Sequence, residues 1–183
     1  MNANEPSPPT NTSWARCSCG RVELELRGAP IVGAVCYCDD CQAGSRQIEG
    51  LPGGQPSQEA DGGTAYLLYR KDRFRCTRGS ALLKDYKLRE ASPTNRVVAT
   101  CCGSAMFLRF DGGEHWVSVF RARLQGEPPA LRMRINTRSR PPGPALPEDL
   151  PAYPTVPPRF ILKLMAAWLA MGLQRLAPAA RSR

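Results

Sequence analysis

The placement of cysteine constrains this chain more than any other feature. Eight cysteines stand at positions 17, 19, 36, 38, 41, 76, 101 and 102, and seven of them fall into three tight groups. Cys17-Ser18-Cys19-Gly20 is a C-x-C-G, Cys36-Tyr37-Cys38-Asp39-Asp40-Cys41 is a C-x-C-x-x-C, and Cys101-Cys102-Gly103 closes the set. Thiols one or two residues apart converge on one divalent ion when a tight turn aims their sulfurs at a point about 2.3 Å away. The same closeness strains a disulfide. The first sixteen residues carry no apolar run like that of a secretory signal. Nor does any segment reach the roughly 18 uninterrupted apolar residues of a membrane-spanning helix. The expectation is a cytoplasmic chain whose thiols stay reduced and ligate metal, with one or two Zn²⁺ as the cofactor.

The middle group points to chemistry. Three thiolates, from Cys36, Cys38 and Cys41, leave one vertex of a tetrahedral zinc open unless a distant side chain fills it, and open vertices are where catalytic zinc works. Zn²⁺ with three thiolates carries a net negative charge, so it acidifies a bound water less than a three-imidazole site does; hydrolysis is not the first choice. A soft, sulfur-rich site suits an incoming thiol, ionised to attack an electrophile or to be presented to one. Cys17 and Cys19 with Cys101 and Cys102 would form a second, structural site tying an early strand region to a late one. If residues 101 and 102 lay in a regular strand, their side chains would point to opposite faces and both would not reach one ion. Cys76, alone, reads as a half-buried strand residue.

From Trp14 to about Arg140 the pattern is that of a small antiparallel β domain, mainly β in class. Arg21 to Arg27 alternates, with Val22, Leu24 and Leu26 facing inward. Residues 107–110 and 115–120 read as two strands joined by the turn Asp111-Gly112-Gly113-Glu114. Residues 64–69 and 81–88 are further strand candidates, and residues 42–63, with several Gly and Pro, read as one long loop. Residues 1–13 form a disordered leader and residues 14–140 the zinc-binding domain. In residues 141–158, eight of eighteen are proline, which prevents a continuous hydrogen-bond ladder and marks an extended linker. Residues 159–183 then supply a C-terminal helix, bracketed by Pro157-Pro158 and Pro178, and a basic tail. That helix is apolar around most of its circumference. It docks on its own domain or on a second copy of the chain, or lies in an anionic membrane surface through residues 159–177.

Charge narrows the partners less than the thiols do. Twenty-five Lys and Arg against 16 Asp and Glu give a formal charge of +9, which favours anionic ligands or surfaces without choosing among them. Arg121 and Arg123, Arg132 and Arg134, and Arg138 and Arg140 are i, i+2 pairs, each projecting from one face if its segment is extended. The reading of these pairs as a solvated basic face stands beside that of a site for carboxylates or phosphates. His115, the single imidazole, excludes any chemistry needing two and is placed at a strand edge rather than in catalysis.

The order C-x-C-G, then C-x-C-x-x-C, then a late cysteine followed by Gly-Ser resembles the glutathione-dependent formaldehyde-activating enzyme and centromere protein V (CENP-V/GFA) domain family, over roughly residues 14 to 125. The resemblance implies a β-tent of antiparallel sheets, a structural zinc on the first and last groups and an exchangeable zinc on Cys36, Cys38 and Cys41. There formaldehyde and glutathione would combine to S-hydroxymethylglutathione, a carbon–sulfur lyase activity in reverse. The family's last group is C-x-x-C-G, whereas Ala99 stands three positions before Cys102 here, so four sulfurs would require Cys101 in its place. The expected function is that of a zinc-dependent lyase acting on a small thiol adduct, with glutathione as the candidate thiol and nucleic acid not expected as a partner. The alternative is a non-catalytic, zinc-stabilised module binding nucleic acid, membrane or protein.

Overall fold

The computed structural model describes residues 12–176; most of the expected leader and the basic tail lie outside the described residues. A three-stranded sheet takes the order β1-β2-β5, from Thr12–Arg16, Glu23–Arg27 and Phe74–Arg78, and is antiparallel throughout. The larger sheet has seven strands. Its members are β3 (Val32–Cys36), β4 (Thr64–Arg70), β6 (Leu83–Tyr86), β7 (Thr94–Ala99), β8 (Ser104–Phe110), β9 (Trp116–Phe120) and β10 (Met133–Ile135), in the order β10-β3-β4-β9-β8-β7-β6. Only the β10–β3 pair is parallel, which makes this sheet mixed. Two helices complete the described chain, α1 (Asp39–Glu49) and α2 (Pro158–Leu176).

Strand alternation builds two cores, one on each face of the large sheet. Val22, Leu24 and Leu26 are fully buried against Leu67, Tyr69, Met106 and Val119, between the two sheets. On the other face Tyr66 and Leu68 pack with Ile48 of α1 and Phe160 and Leu164 of α2. Each such side chain contributes about 1.5–3 kcal/mol by leaving water. Because β4 is covered on both faces, all seven of its residues are buried, and its sequence reads as an apolar run rather than as alternation. The expected hairpin is present, with Phe107 opposite Val119 and Leu108 opposite Ser118. Gly113 supplies the positive φ of 81° in its turn.

Three expectations need correction. Residues 42–63 are not one loop, because α1 continues through Glu49. Its buried positions are Cys41, Gly44, Ser45 and Ile48, spaced as on a helix, but three of the four are small or weakly apolar, so the stripe is invisible to hydropathy. Gly44 is required by packing, since a Cβ there would collide with the Arg96 guanidinium. The strand expected over residues 81–88 is limited to Leu83–Tyr86, after a 3-10 turn at Ser80–Leu82. Nor do the paired arginines form one extended face. Arg121 and Arg123 lie in a 3-10 turn, Arg138 in another, and the Arg134 side chain is buried against Asp149, 2.8 Å away.

The proline-rich segment connects β10 to α2 and also pairs with the sheet. Arg134 N–H donates to the Pro151 carbonyl and Tyr153 N–H to the Arg134 carbonyl, both at 2.9 Å, and Thr137 N–H reaches Tyr153 O at 3.0 Å. These bonds come from the few residues of the stretch that keep an N–H or a free carbonyl facing the strand. The strap delivers α2 across the sheet face, where Phe160, Leu164 and Met171 are buried. Arg159 stacks over the Tyr153 ring at 4.5 Å where the helix begins.

Candidate metal centres

The sulfurs of Cys17, Cys19, Cys101 and Cys102 all lie within 4.8 Å of one another. Cys17 and Cys19 sit in the turn between β1 and β2, and Cys101 and Cys102 in the turn between β7 and β8. That turn answers the concern about adjacent cysteines: neither residue is in a strand, so the alternation that would separate their side chains does not operate. The separations are 3.6 Å for Cys17–Cys19, 3.8 Å for Cys17–Cys101, 3.4 Å for Cys19–Cys101 and 3.9 Å for Cys101–Cys102. Four sulfurs about 2.3 Å from a tetrahedral centre stand about 3.8 Å apart. The group thus has the dimensions of a four-thiolate site and is far from the ~2 Å of a disulfide. Ala99 is buried in β7 and takes no part.

The surroundings favour negative sulfur. Val22 N–H donates to Cys17 Sγ at 3.2 Å, Arg21 Nε to Cys19 Sγ at 3.5 Å, and Ser104 Oγ lies 3.1 Å from Cys102 Sγ. Hydrogen bonding from Arg21 lowers the Cys19 pKa to about 6, whereas burial, with the neighbouring thiols, raises that of Cys101 to about 12. Arg123, whose Nη1 donates to Ser18 Oγ at 2.7 Å, adds a second cation beside the group.

The middle group is built by the β3–α1 junction. Cys36 ends β3, Cys38 is the N-cap of α1 with extended backbone, and Cys41 lies in the first turn. Their three sulfurs again fall within 4.8 Å of one another, and among the described residues no fourth His, Cys, Asp or Glu joins them. A backbone hydrogen bond from Cys38 to the Cys36 sulfur and the positive end of the helix dipole favour anionic sulfur here. Hydrogen bonds from Cys38 and Cys41 draw the Cys36 thiol down to about 3. Hydrogen bonding to Cys36 in turn pushes Cys38 up, and hydrogen bonding to Cys36 and Cys38 pushes Cys41 well up. Cys36 is thus the most readily ionised of the three thiols.

Two further side chains hold this group, and neither was singled out by the sequence. Asn136 Nδ2 donates to Cys36 Sγ at 3.4 Å, and the Tyr66 hydroxyl stands 3.8 Å from Cys41 Sγ. Asn136 follows β10 directly, and the parallel register that sets Ile135 beside Cys36 delivers it. It is the only described non-glycine residue with positive φ, at 57°. An Asn placed just after a β-branched strand residue was the available signal. A cavity of about 200 Å³ opens beside the group, bordered by Cys36 and Cys41 and walled by Tyr66, Leu108, Trp116 and Phe160 among others. His115 is not part of it. It lines a separate cleft with Lys71 and Trp168 beneath α2, and burial lowers its pKa. Cys76 is half-buried in β5, its thiol 3.2 Å from the Arg78 carbonyl.

Residues 12–50 match the family model of the glutathione-dependent formaldehyde-activating enzyme. The match takes in the first and middle cysteine groups and stops before the third, and it covers less than half of the chain. Over those residues the resemblance read from the sequence is borne out. A Rhodobacter sphaeroides protein whose crystal structure was solved as a structural-genomics target is similar at 19% identity, with a TM-score of 0.46, over 63% of this chain and 91% of that one. No curated protein matches the sequence significantly. Among the described residues no helix is long and apolar enough to cross a membrane.

Proposed function

We propose that this protein holds Zn²⁺ on both cysteine groups and acts as a carbon–sulfur lyase of the formaldehyde-activating type, making or breaking the adduct of a small thiol and an aldehyde. The first group is the staple and the middle group the working site. The observation that carries this reading is the difference between them: four sulfurs at tetrahedral spacing in one, and three beside a cavity in the other. A zinc ion on the middle group would supply a soft Lewis acid with an exchangeable position, at which a thiol loses its proton near neutral pH.

The chain's own residues account for the rest. Asn136 fixes the direction of the Cys36 sulfur, and the α1 N-terminus offsets charge as sulfur is added to the site. In the forward sense the thiol sulfur bonds to the aldehyde carbon, and the carbonyl oxygen takes up the proton that the thiol lost. The reverse breaks the same carbon–sulfur bond and returns the proton to sulfur. Tyr66, whose buried phenol is pushed well above its usual pKa by desolvation, stays protonated and lines the cavity. Its O–H is the candidate donor to that oxygen. The apolar walls exclude water and offer almost nothing to a carboxylate. A small aldehyde fits inside, while the polar remainder of a thiol such as glutathione stays at the mouth.

Proton exchange spectroscopy on equilibrating glutathione and formaldehyde tests the reading. The zinc-loaded protein should raise the interconversion rate at least about tenfold over buffer, and Cys38→Ser should abolish the increase. No acceleration by a protein carrying its full metal complement would leave a non-catalytic, metal-stabilised module in place of the enzyme.

A further inference from the structure

Apart from Val156, every large apolar side chain that stands exposed among the described residues lies on α2. Ile161, Leu162, Met165, Trp168, Leu169 and Leu173 are between 46 and 68% exposed. At 3.6 residues per turn they occupy one arc of about 140°. The opposite stripe, Phe160, Leu164 and Met171, is buried against the sheet. The helix therefore docks on its own domain through one face and presents a second apolar face that packing within the chain does not use. Single exposed leucines are ordinary, but a continuous run of this size marks an interaction surface.

Charge selects the occupant. From residue 150 to residue 183 the sequence contains no Asp or Glu and five cations: Arg159, Lys163, Arg175, Arg181 and Arg183. By helical position, Arg159 and Lys163 lie about 40° and about 80° beyond one edge of the exposed arc and do not interrupt it. A second copy of the chain would set this cationic segment against itself in either orientation of a two-fold pair. A bilayer bearing anionic headgroups accommodates both properties, the apolar arc entering the acyl boundary and the cations beside it lying among the phosphates. α2 is not long and apolar enough to cross a membrane, so the contact it suits is with the surface.

We propose that α2 is an interfacial helix that docks the protein on an anionic membrane surface, with Ile161, Leu162, Met165, Trp168, Leu169 and Leu173 as the embedded face. This inference is independent of the chemistry proposed for the cysteines.

Sedimentation of the full chain with lipid vesicles tests it. Vesicles containing equal phosphatidylcholine and phosphatidylglycerol should bind at least about tenfold more tightly than phosphatidylcholine alone. Salt at about 0.5 M should weaken that binding, and tryptophan emission should shift to the blue on the mixed vesicles. The double variant Leu162→Gln, Leu169→Gln, altered only at exposed positions, should lose at least about tenfold in binding at an unchanged melting temperature. The proposal is overturned if the unaltered chain ignores the anionic vesicles, if it binds both kinds equally, or if the double variant binds as well as the original. It is equally overturned if the original is a dimer that the double variant dissociates while neither sediments with lipid.

Discussion

Asn136 carries a conformational cost that its side chain explains. Its left-handed backbone, φ 57° and ψ 35°, is unfavourable by about 1 kcal/mol for most residues and is tolerated by Asn and Gly. In exchange its amide donates to Cys36 Sγ, fixing the most readily ionised sulfur of the trio. Asn136→Gly keeps the backbone and removes only the amide. It should reduce metal affinity at the middle group about tenfold while leaving the melting temperature of the metal-loaded protein nearly unchanged, read by competition with a chromophoric chelator. Unchanged affinity would mean that the contact orients nothing. At this scale the cysteines were legible because thiolates must cluster in sequence to cluster around a turn. Asn136 was not, since a parallel strand pairing a hundred residues later brings it to Cys36, and nothing local records that register. Gly44 was hidden for a related reason: the arginine that forbids its Cβ comes from β7.

At the scale of elements, the two groups have different structural duties. The first joins the β1–β2 turn to the β7–β8 turn and so couples the small sheet to the large one across 82 residues of chain, from Cys19 to Cys101. The second sits within one strand–helix junction and closes no long loop. Metal removal should therefore act mostly through the first. Cys101→Ser should lower the melting temperature by about 10 °C or more, whereas Cys38→Ser should lower it by a few degrees at most. Calorimetry under reducing conditions separates the two, and equal shifts would contradict the assignment of staple and working site. The strands were readable wherever one face met water, as in Val22, Leu24 and Leu26. They were least readable where both faces were covered and the run was short, as in β3, although β4, equally covered, was legible to within one residue of its bounds. The N-terminus of α1, which gives the middle group its electrostatics, was masked by the small residues on its buried side.

The whole molecule places one large sheet between two coverings, the small sheet on one face and the helices on the other. The mainly β class and the C-terminal helix followed from pattern alone. The parallel β10 did not, because a three-residue strand offers too short a pattern to reveal its direction. The strap of residues 141–158 carries α2 to the face where the middle cysteine group lies, so Phe160 roofs the cavity from the same helix that turns its other side outward. One part of the chain thereby closes the site and faces the surroundings. The central claim remains coordination at Cys36, Cys38 and Cys41, and Co²⁺ substitution with visible absorption tests it most directly. The account predicts two Co²⁺ per chain, both with thiolate charge-transfer bands. One, absent from Cys38→Ser, should change its spectrum when glutathione is added, while the other stays unaltered. A single ion per chain, or two whose spectra are both indifferent to added thiol, would contradict it.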